Sequence, residues 1–180
     1  DFELGGDLLL GDQQIDDQSA GDWLRSRTCA VQSHDHIRVM RRTTTLGLYD
    51  NCVAGLVERV TDHLPGAPPH QPRQRFWVVR PRQVILASGA LERGFCFGNN
   101  DRPGVMTAAA AGAYAGRYGV APGRRAVVAT NNDSGYRCAA MLAGSGIATT
   151  VLEARAEASA AGPMLRELGV DLRLGTAPLQ

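Results

Sequence analysis

The residues of this 180-residue chain whose types and spacing could hold a ligand lie mostly where a strand gives way to a helix. After Arg125-Ala126-Val127-Val128-Ala129-Thr130 comes the turn Asn131-Asn132-Asp133-Ser134-Gly135-Tyr136. In a dinucleotide fold this turn carries G-x-G-x-x-G, whose glycines seat a pyrophosphate against backbone N–H groups at a helix N-terminus. Only one glycine remains here, and Asp133 puts a carboxylate where phosphate would approach. The turn therefore predicts a Rossmann-like half kept for packing, without a tightly bound dinucleotide of its own. Glu153, at the end of the next strand, has the position of a ribose-binding acid. Without the glycines, a solvated strand-end acid is an equally good reading.

A second candidate is the stretch from Glu92 to Met106, polar, turn-forming and rich in glycine. It exceeds the ~2–6 residues of an ordinary strand-to-helix connection, and such long loops are disproportionately functional. It reads as a binding loop at the carboxyl end of a parallel strand, where open sheets place their ligands. Gly5-Gly6 is only a turn signal by itself, but small residues there let a cofactor pass close to the backbone. Ser88 in Ala87-Ser88-Gly89-Ala90 lacks the G-x-S-x-G frame of a nucleophile and is read as lining a cofactor. His34-Asp35-His36 sets two imidazoles on one face of an extended segment. No third ligand is near, so a solvated turn is preferred and no metal site is assigned. Tyr49-Asp50 has no nameable partner, and Glu92-Arg93 is read as a solvated pair at a turn. No residue is assigned as a catalytic acid, base or nucleophile.

These residues need a scaffold, and the apolar pattern supplies one of α/β class. A short helix is expected from Ser19 to Ser33, then strands at 36–41, 43–48, 53–60 and 74–80, an antiparallel meander of three or four strands. Residues 64–72 carry four prolines and are read as a hairpin loop, though a linker would look similar. The continuous apolar run from Gln83 to Ala90 predicts a strand buried on both faces of a parallel sheet. Gly104 to Tyr118 is expected as a helix entered at Pro103 and left at Gly119. The rest repeats one unit: strand 125–130, helix 134–143, strand 147–152, helix 156–168, strand 170–174. That order is the right-handed parallel crossover of a nucleotide-binding half. The expected organisation is thus the C-terminal part of one FAD/NAD-binding domain over residues 1–103, with its β-meander at about 36–80, and the N-terminal part of a second, Rossmann-like β-α-β-α-β domain over 104–180.

Charge excludes some partners. Nineteen basic residues, all arginine, face eighteen acids, for a formal charge of +1. No block of like charge marks a nucleic acid or an acidic membrane as partner. Four scattered cysteines, Cys29, Cys52, Cys96 and Cys138, form no C-x-x-C pair and are expected as free thiols. The first apolar stretch, Leu8-Leu9-Leu10, is too short for a membrane span or signal peptide, and a cytoplasmic location is expected. The chain begins at Asp1 rather than methionine and is expected to be an internal fragment.

Several strings, taken in order, carry a resemblance. They are Leu4-Gly5-Gly6-x-Leu8-Leu9, Ile15-Asp16, Trp23, Arg42-Thr43-Thr44 with Gly47 and Tyr49-Asp50, and Arg73-Gln74-Arg75 with Trp77. Then follow Val84-Ile85-Leu86-Ala87-Ser88-Gly89-Ala90-x-Glu92-Arg93, Asn99-Asn100-Asp101-Arg102-Pro103-Gly104-Val105-Met106, Arg117-Tyr118-Gly119-Val120 and Thr130-Asn131-Asn132-Asp133-Ser134. Together they resemble the alpha subunit of heterotetrameric sarcosine oxidase, a two-dinucleotide-domain flavoprotein family. The likeness runs to about Arg155 and is thinner beyond.

The resemblance implies an oxidoreductase of one-carbon metabolism, assembled with beta, gamma and delta subunits. The family oxidises sarcosine, a secondary amine, with oxygen to glycine, hydrogen peroxide and a one-carbon unit passed to tetrahydrofolate in a separate C-terminal domain. It implies NAD in the alpha subunit and FAD and FMN in the assembled enzyme. Gly5 and Gly6 would line the dinucleotide, Thr44 and Thr45 would lie near its adenine end, and Ala87, Ser88 and Gly89 would match the family's Ala-Thr-Gly turn beside the cofactor. Ser88 replaces the family's Thr, and Gly94 replaces its usual Pro, which loosens the loop. The family's glycine fingerprint lies upstream of Asp1, so the isolated chain is expected to be inactive and not to retain NAD. The rival readings are another two-dinucleotide flavoprotein of opine dehydrogenase or hydrogen cyanide synthase type, and a non-catalytic module that docks subunits.

Overall fold

The computed structural model describes residues 2–11 and 13–178. Two short strands, β1 (Gln14–Ile15) and β2 (Gln18–Ser19), pair as a hairpin. Its two turn residues, Asp16 and Asp17, both take positive φ (49° and 59°), the backbone of a type I′ turn that matches strand twist. Helix α1 (Ala20–Gln32) follows, as the apolar stripe predicts. Next come β3 (Thr43–Tyr49), β4 (Val53–Arg59) and β5 (Gln74–Val79), then α2 (Ala108–Gly112), which runs into one π-helical turn over Ala113–Arg117. The C-terminal third is β6 (Arg125–Thr130), α3 (Asp133–Gly144), β7 (Ala148–Glu153), α4 (Gly162–Glu167) and β8 (Asp171–Leu174). By internal packing the residues divide into two units, Asp1–Asp7 with Gly21–Gly89, and Leu8–Ala20 with Ala90–Gln180.

The first unit is built on the meander, an antiparallel sheet of order β3-β4-β5. Three strands form, within the three or four expected. Residues 36–41 stay outside the ladder, where the Arg38 guanidinium stacks 4.4 Å from the Trp77 ring centroid. The proline-rich loop is a hairpin loop, because its two flanks clasp each other. Val60, Thr61 and Asp62 all donate backbone N–H to the Arg73 carbonyl, and Arg73 and Gln74 donate to the Asp62 carboxylate at 2.6 and 2.8 Å. Hydrogen bonds from Gln74 and then Arg73 hold the Asp62 carboxyl below its ordinary range.

The run from Gln83 to Ala90 does not form the expected buried strand. It is extended and unpaired, with Ile85 84% and Leu86 75% exposed. Its composition asks for strand neighbours on both sides, and no described strand pairs with it.

The second unit holds the parallel sheet of order β6-β7-β8, in register from Arg125↔Ala148 to Thr130↔Glu153. Its core is Val128, Tyr136, Cys138, Ala139, Leu142, Ile147, Val151, Leu165 and Val170, with Ala108, Ala111 and Ala115 packed against it. Small side chains let α2 approach α3 closely: the Cys138 thiol donates to the Ala108 carbonyl at 3.2 Å. Two helices are shorter than their patterns suggest. Pro103-Gly104 makes a type II turn, with Gly104 at φ +95° and Val105 N–H donating to Arg102, so the helix begins only after Thr107, whose hydroxyl caps it. Pro163 lacks an N–H and fits only the first turn of a helix, so α4 starts at Gly162 rather than 156.

Leu142 is fully buried at the centre of this core. Leu142→Ala should lower stability by about 2–5 kcal/mol, read as a fall in the urea midpoint at unchanged slope.

Candidate functional site at the carboxyl edge of the parallel sheet

Open α/β sheets bind ligands beyond the carboxyl ends of their strands, so the ends of β6 and β7 are the place to look. Thr130 closes β6 and Glu153 closes β7, and the two are neighbours in register. The Thr130 hydroxyl donates to the Asn132 carbonyl at 2.8 Å and accepts from the Asn132 N–H, fixing the turn. Asn132 caps α3, its side-chain oxygen accepting from the Ser134 N–H at 3.0 Å and from the Ser134 hydroxyl at 2.6 Å. Gly135 is glycine for packing: a Cβ there would sit 2.5 Å from both Cβ and Oγ1 of Thr130. That missing methyl brings α3 against β6.

Glu153 is not the solvated acid that its strand-end position allowed. It is fully buried, and accepts from the Arg155 N–H at 2.9 Å, the Arg155 guanidinium at 2.7 Å and the Tyr136 hydroxyl. The same guanidinium nitrogen reaches Asp133 Oδ1 at 2.8 Å, so Arg155 bridges the end of β7 to the first residue of α3. Its hydrogen bonds hold both carboxyls below their ordinary ranges, and the two acids hold Arg155 firmly charged. Burial and the adjacent Glu153 push the Tyr136 hydroxyl up.

This arrangement does not fit a dinucleotide. Asn132 occupies a backbone donor that a phosphate would use, Asp133 adds negative charge at the helix start, and Arg155 is committed to two carboxylates. Sequence reasoning located the turn and gave Glu153 little weight. It missed Arg155, whose only signal is an arginine two residues after a strand-end acid.

The Glu92–Met106 loop adds the other wall. Glu92 is no solvated partner of Arg93; its carboxylate accepts from Ala109 N–H at 2.7 Å and caps α2 beside the Thr107 hydroxyl. Phe95, Cys96 and Phe97 border a cleft of about 200 Å3 together with Ala129, Thr130, Leu152, Ala154 and Thr176–Pro178. The loop therefore lies over the ends of β6 and β7, not of the run before it. The Asn100 side chain donates to the Phe95 carbonyl at 3.2 Å, and Asn99 turns the loop at φ +62°. Burial, then the charge of Glu92, pushes the nearby Cys138 thiol up to about 11.

The other predicted residues all lie in the first unit. Gly5 and Gly6 take positive φ (129° and 52°), Gly6 opening a short 3-10 turn over Gly6–Leu10. Thr44 and Thr45 are exposed on β3, in register with Val57 and Leu56 and hence on opposite faces. Ala87, Ser88 and Gly89 are exposed in the unpaired run, with Gly89 at φ +73°. Among the described residues no hydrogen bond joins these three groups. His34 and His36 contact edge to face at 5.9 Å, and no described group of three or more His, Cys, Asp or Glu could hold a metal.

Glu153 and Asp133 have folded-state carboxyls below their unfolded values, so their contribution to stability is complete above the ordinary carboxyl range and is lost as pH falls through the depressed values. The urea midpoint should therefore hold from about pH 7 to about pH 5 and then drop. Glu153→Gln should lower the neutral-pH midpoint and flatten that acid limb. Gly135→Ala should cost about 1–3 kcal/mol by overpacking against Thr130, measured by the same titration.

No protein-family model matches the chain. It is 44% identical over 143 residues, 79% of its length, to the sarcosine oxidase subunit alpha of Rhizobium meliloti (strain 1021). It is 41% identical over 176 residues, 97% of its length, to that of Corynebacterium sp. (strain P-1), and 38% identical over 177 residues to that of Corynebacterium sp. (strain U-96). These matches span 14–18% of the relatives' own lengths. The chain is thus, across nearly all of its residues, a sequence relative of one stretch of the sarcosine oxidase alpha subunits.

Proposed function

We propose that this chain is the scaffold stretch of a sarcosine-oxidase-type alpha subunit, bearing the tail of one dinucleotide domain over 1–103 and the front of a second over 104–180. The observation that carries the reading is 41% identity sustained over 176 residues. The whole protein would convert sarcosine, oxygen and tetrahydrofolate to glycine, hydrogen peroxide and methylene-tetrahydrofolate. The substrate's N-methyl carbon moves to the folate, and the two electrons and two protons released go to oxygen. Bound FAD or FMN supplies the electron acceptor for that chemistry. Beta, gamma and delta subunits are the proposed partners and the cytoplasm the proposed location; no helix of the described residues is long and apolar enough to cross a membrane.

Within this chain the residues proposed to face NAD are Gly5, Gly6, Thr44, Thr45, Ala87, Ser88 and Gly89. Their local geometry is compatible with that role. A Cβ added at Gly6 or Gly89 meets nothing within 4 Å, so the backbone there is open to a close neighbour, and the Thr44, Thr45 and Ser88 hydroxyls are exposed. The turn at Asn131–Tyr136 is not proposed as a NAD site, for the reasons of charge and capping given above.

The test uses the whole alpha subunit co-expressed with its partners. Sarcosine-dependent hydrogen peroxide is expected, and its absence in an assembled, flavin-loaded complex overturns the reading. Thr44→Ala and Ser88→Ala should weaken NAD retention about tenfold, or about 1.4 kcal/mol, with flavin content unchanged. The 180-residue chain alone should bind NAD no better than weakly, and micromolar binding would overturn that expectation.

A further inference from the structure

The cleft over the ends of β6 and β7 has no part in the reading above, yet its lining is that of a small-molecule site. Its walls are Phe95, Cys96 and Phe97, the strand ends Ala129, Thr130, Leu152 and Ala154, and the segment Thr176–Pro178. All of these belong to one unit. The loop is held in place by Asn100 on the Phe95 carbonyl, and the far wall by Gly175 and Thr176, whose N–H groups donate to Arg155 and Glu153 at 2.9 Å.

Size and polarity define the occupant. An apolar cavity of about 150 Å3 accepts a benzene ring, whereas sites for larger ligands run to about 300–1,000 Å3. At about 200 Å3 this cleft takes one fused ring system and has no room for a dinucleotide. It also lacks a grip for charge. The Thr130 and Thr176 hydroxyls already donate to Asn132 and Leu174 carbonyls, Asn132 caps the start of α3, and Arg155 is neutralised by Glu153 and Asp133. The lining that remains is mostly apolar.

We propose that this cleft is a binding site for an uncharged planar ring of indole or purine size, seated between Phe95 and Phe97 and the ends of β6 and β7, without phosphate recognition. The site replaces, at the carboxyl edge of a parallel sheet, the dinucleotide that the Asn131–Tyr136 turn turns away. A ring bound there covers Cys96. Cys29 and Cys52 are also exposed, while Cys138 is buried, so the chain carries its own controls.

The experiment is alkylation of the full chain with iodoacetamide, each cysteine followed by peptide mass spectrometry, with indole, adenosine or ADP present. Indole and adenosine at about ten times their dissociation constants should slow Cys96 about tenfold and leave Cys29 and Cys52 unchanged. ADP should protect no better than adenosine. Ala177→Trp, at an exposed loop position, should fill the mouth, slow Cys96 by itself and abolish any further effect of the rings. Phe97→Ala, checked by circular dichroism for intact fold, should weaken both rings. The proposal is overturned if Cys96 is unmoved by both rings, if protection survives in folded Ala177→Trp, or if ADP binds tenfold more tightly than adenosine. These readouts do not involve sarcosine turnover, so they fail independently of the proposed function.

Discussion

A carboxylate taken wholly out of water must keep a cation and hydrogen-bond donors, or it destabilises the fold by several kcal/mol. Glu153 is such a group, and the organisation of the second unit follows from satisfying it. Arg155 folds back on its own strand end to do so, and the same guanidinium nitrogen also reaches Asp133 at the head of α3. The strand, the turn and the helix are thereby tied at one point. In a dinucleotide-binding crossover the bound phosphates bring charge to this corner; here the protein's own ion triad and its asparagine cap do it. The corner gains rigidity and loses the ability to admit an anion.

Much of the second unit could be read from residue order because its signals are local. Arg125 to Thr130 forms the expected strand residue for residue, and Gly146, at φ +78°, follows the end of α3 as its αL tolerance suggests. The departures have local causes too, a type II turn at Pro103-Gly104 and a proline at the first turn of α4. Glu153 and Arg155 were hidden for a different reason. Burial of an ion pair depends on where a distant helix starts, and nothing in a two-residue spacing reveals it. The cleft was half visible: the length and glycine content of the Glu92–Met106 loop marked it as functional, while its partner strands were misassigned by one crossover.

The first unit taught the opposite lesson. The meander and its clasped proline loop formed from alternation and turn chemistry, whereas the apolar run at 83–90 remained extended and exposed. Continuous hydrophobicity reports the environment in which a segment is finally buried, not a partner within the same stretch of chain. The residues proposed to face NAD sit on this unit and on that run. Their glycine conformations were foreseeable from type alone, but among the described residues no hydrogen bond joins their three groups, and their grouping is a proposal drawn from the sequence resemblance.

The absence of lysine has a consequence for the corner that Arg155 braces. Guanidinium keeps its charge where an ammonium would lose it, and its two carboxylate neighbours bind that charge more firmly. The Tyr136 hydroxyl beside it is pushed toward staying neutral. On the alkaline side no member of the brace has a reason to change its charge before the fold itself is under general attack. This corner is therefore one-sided, answering to added protons and largely indifferent to their removal.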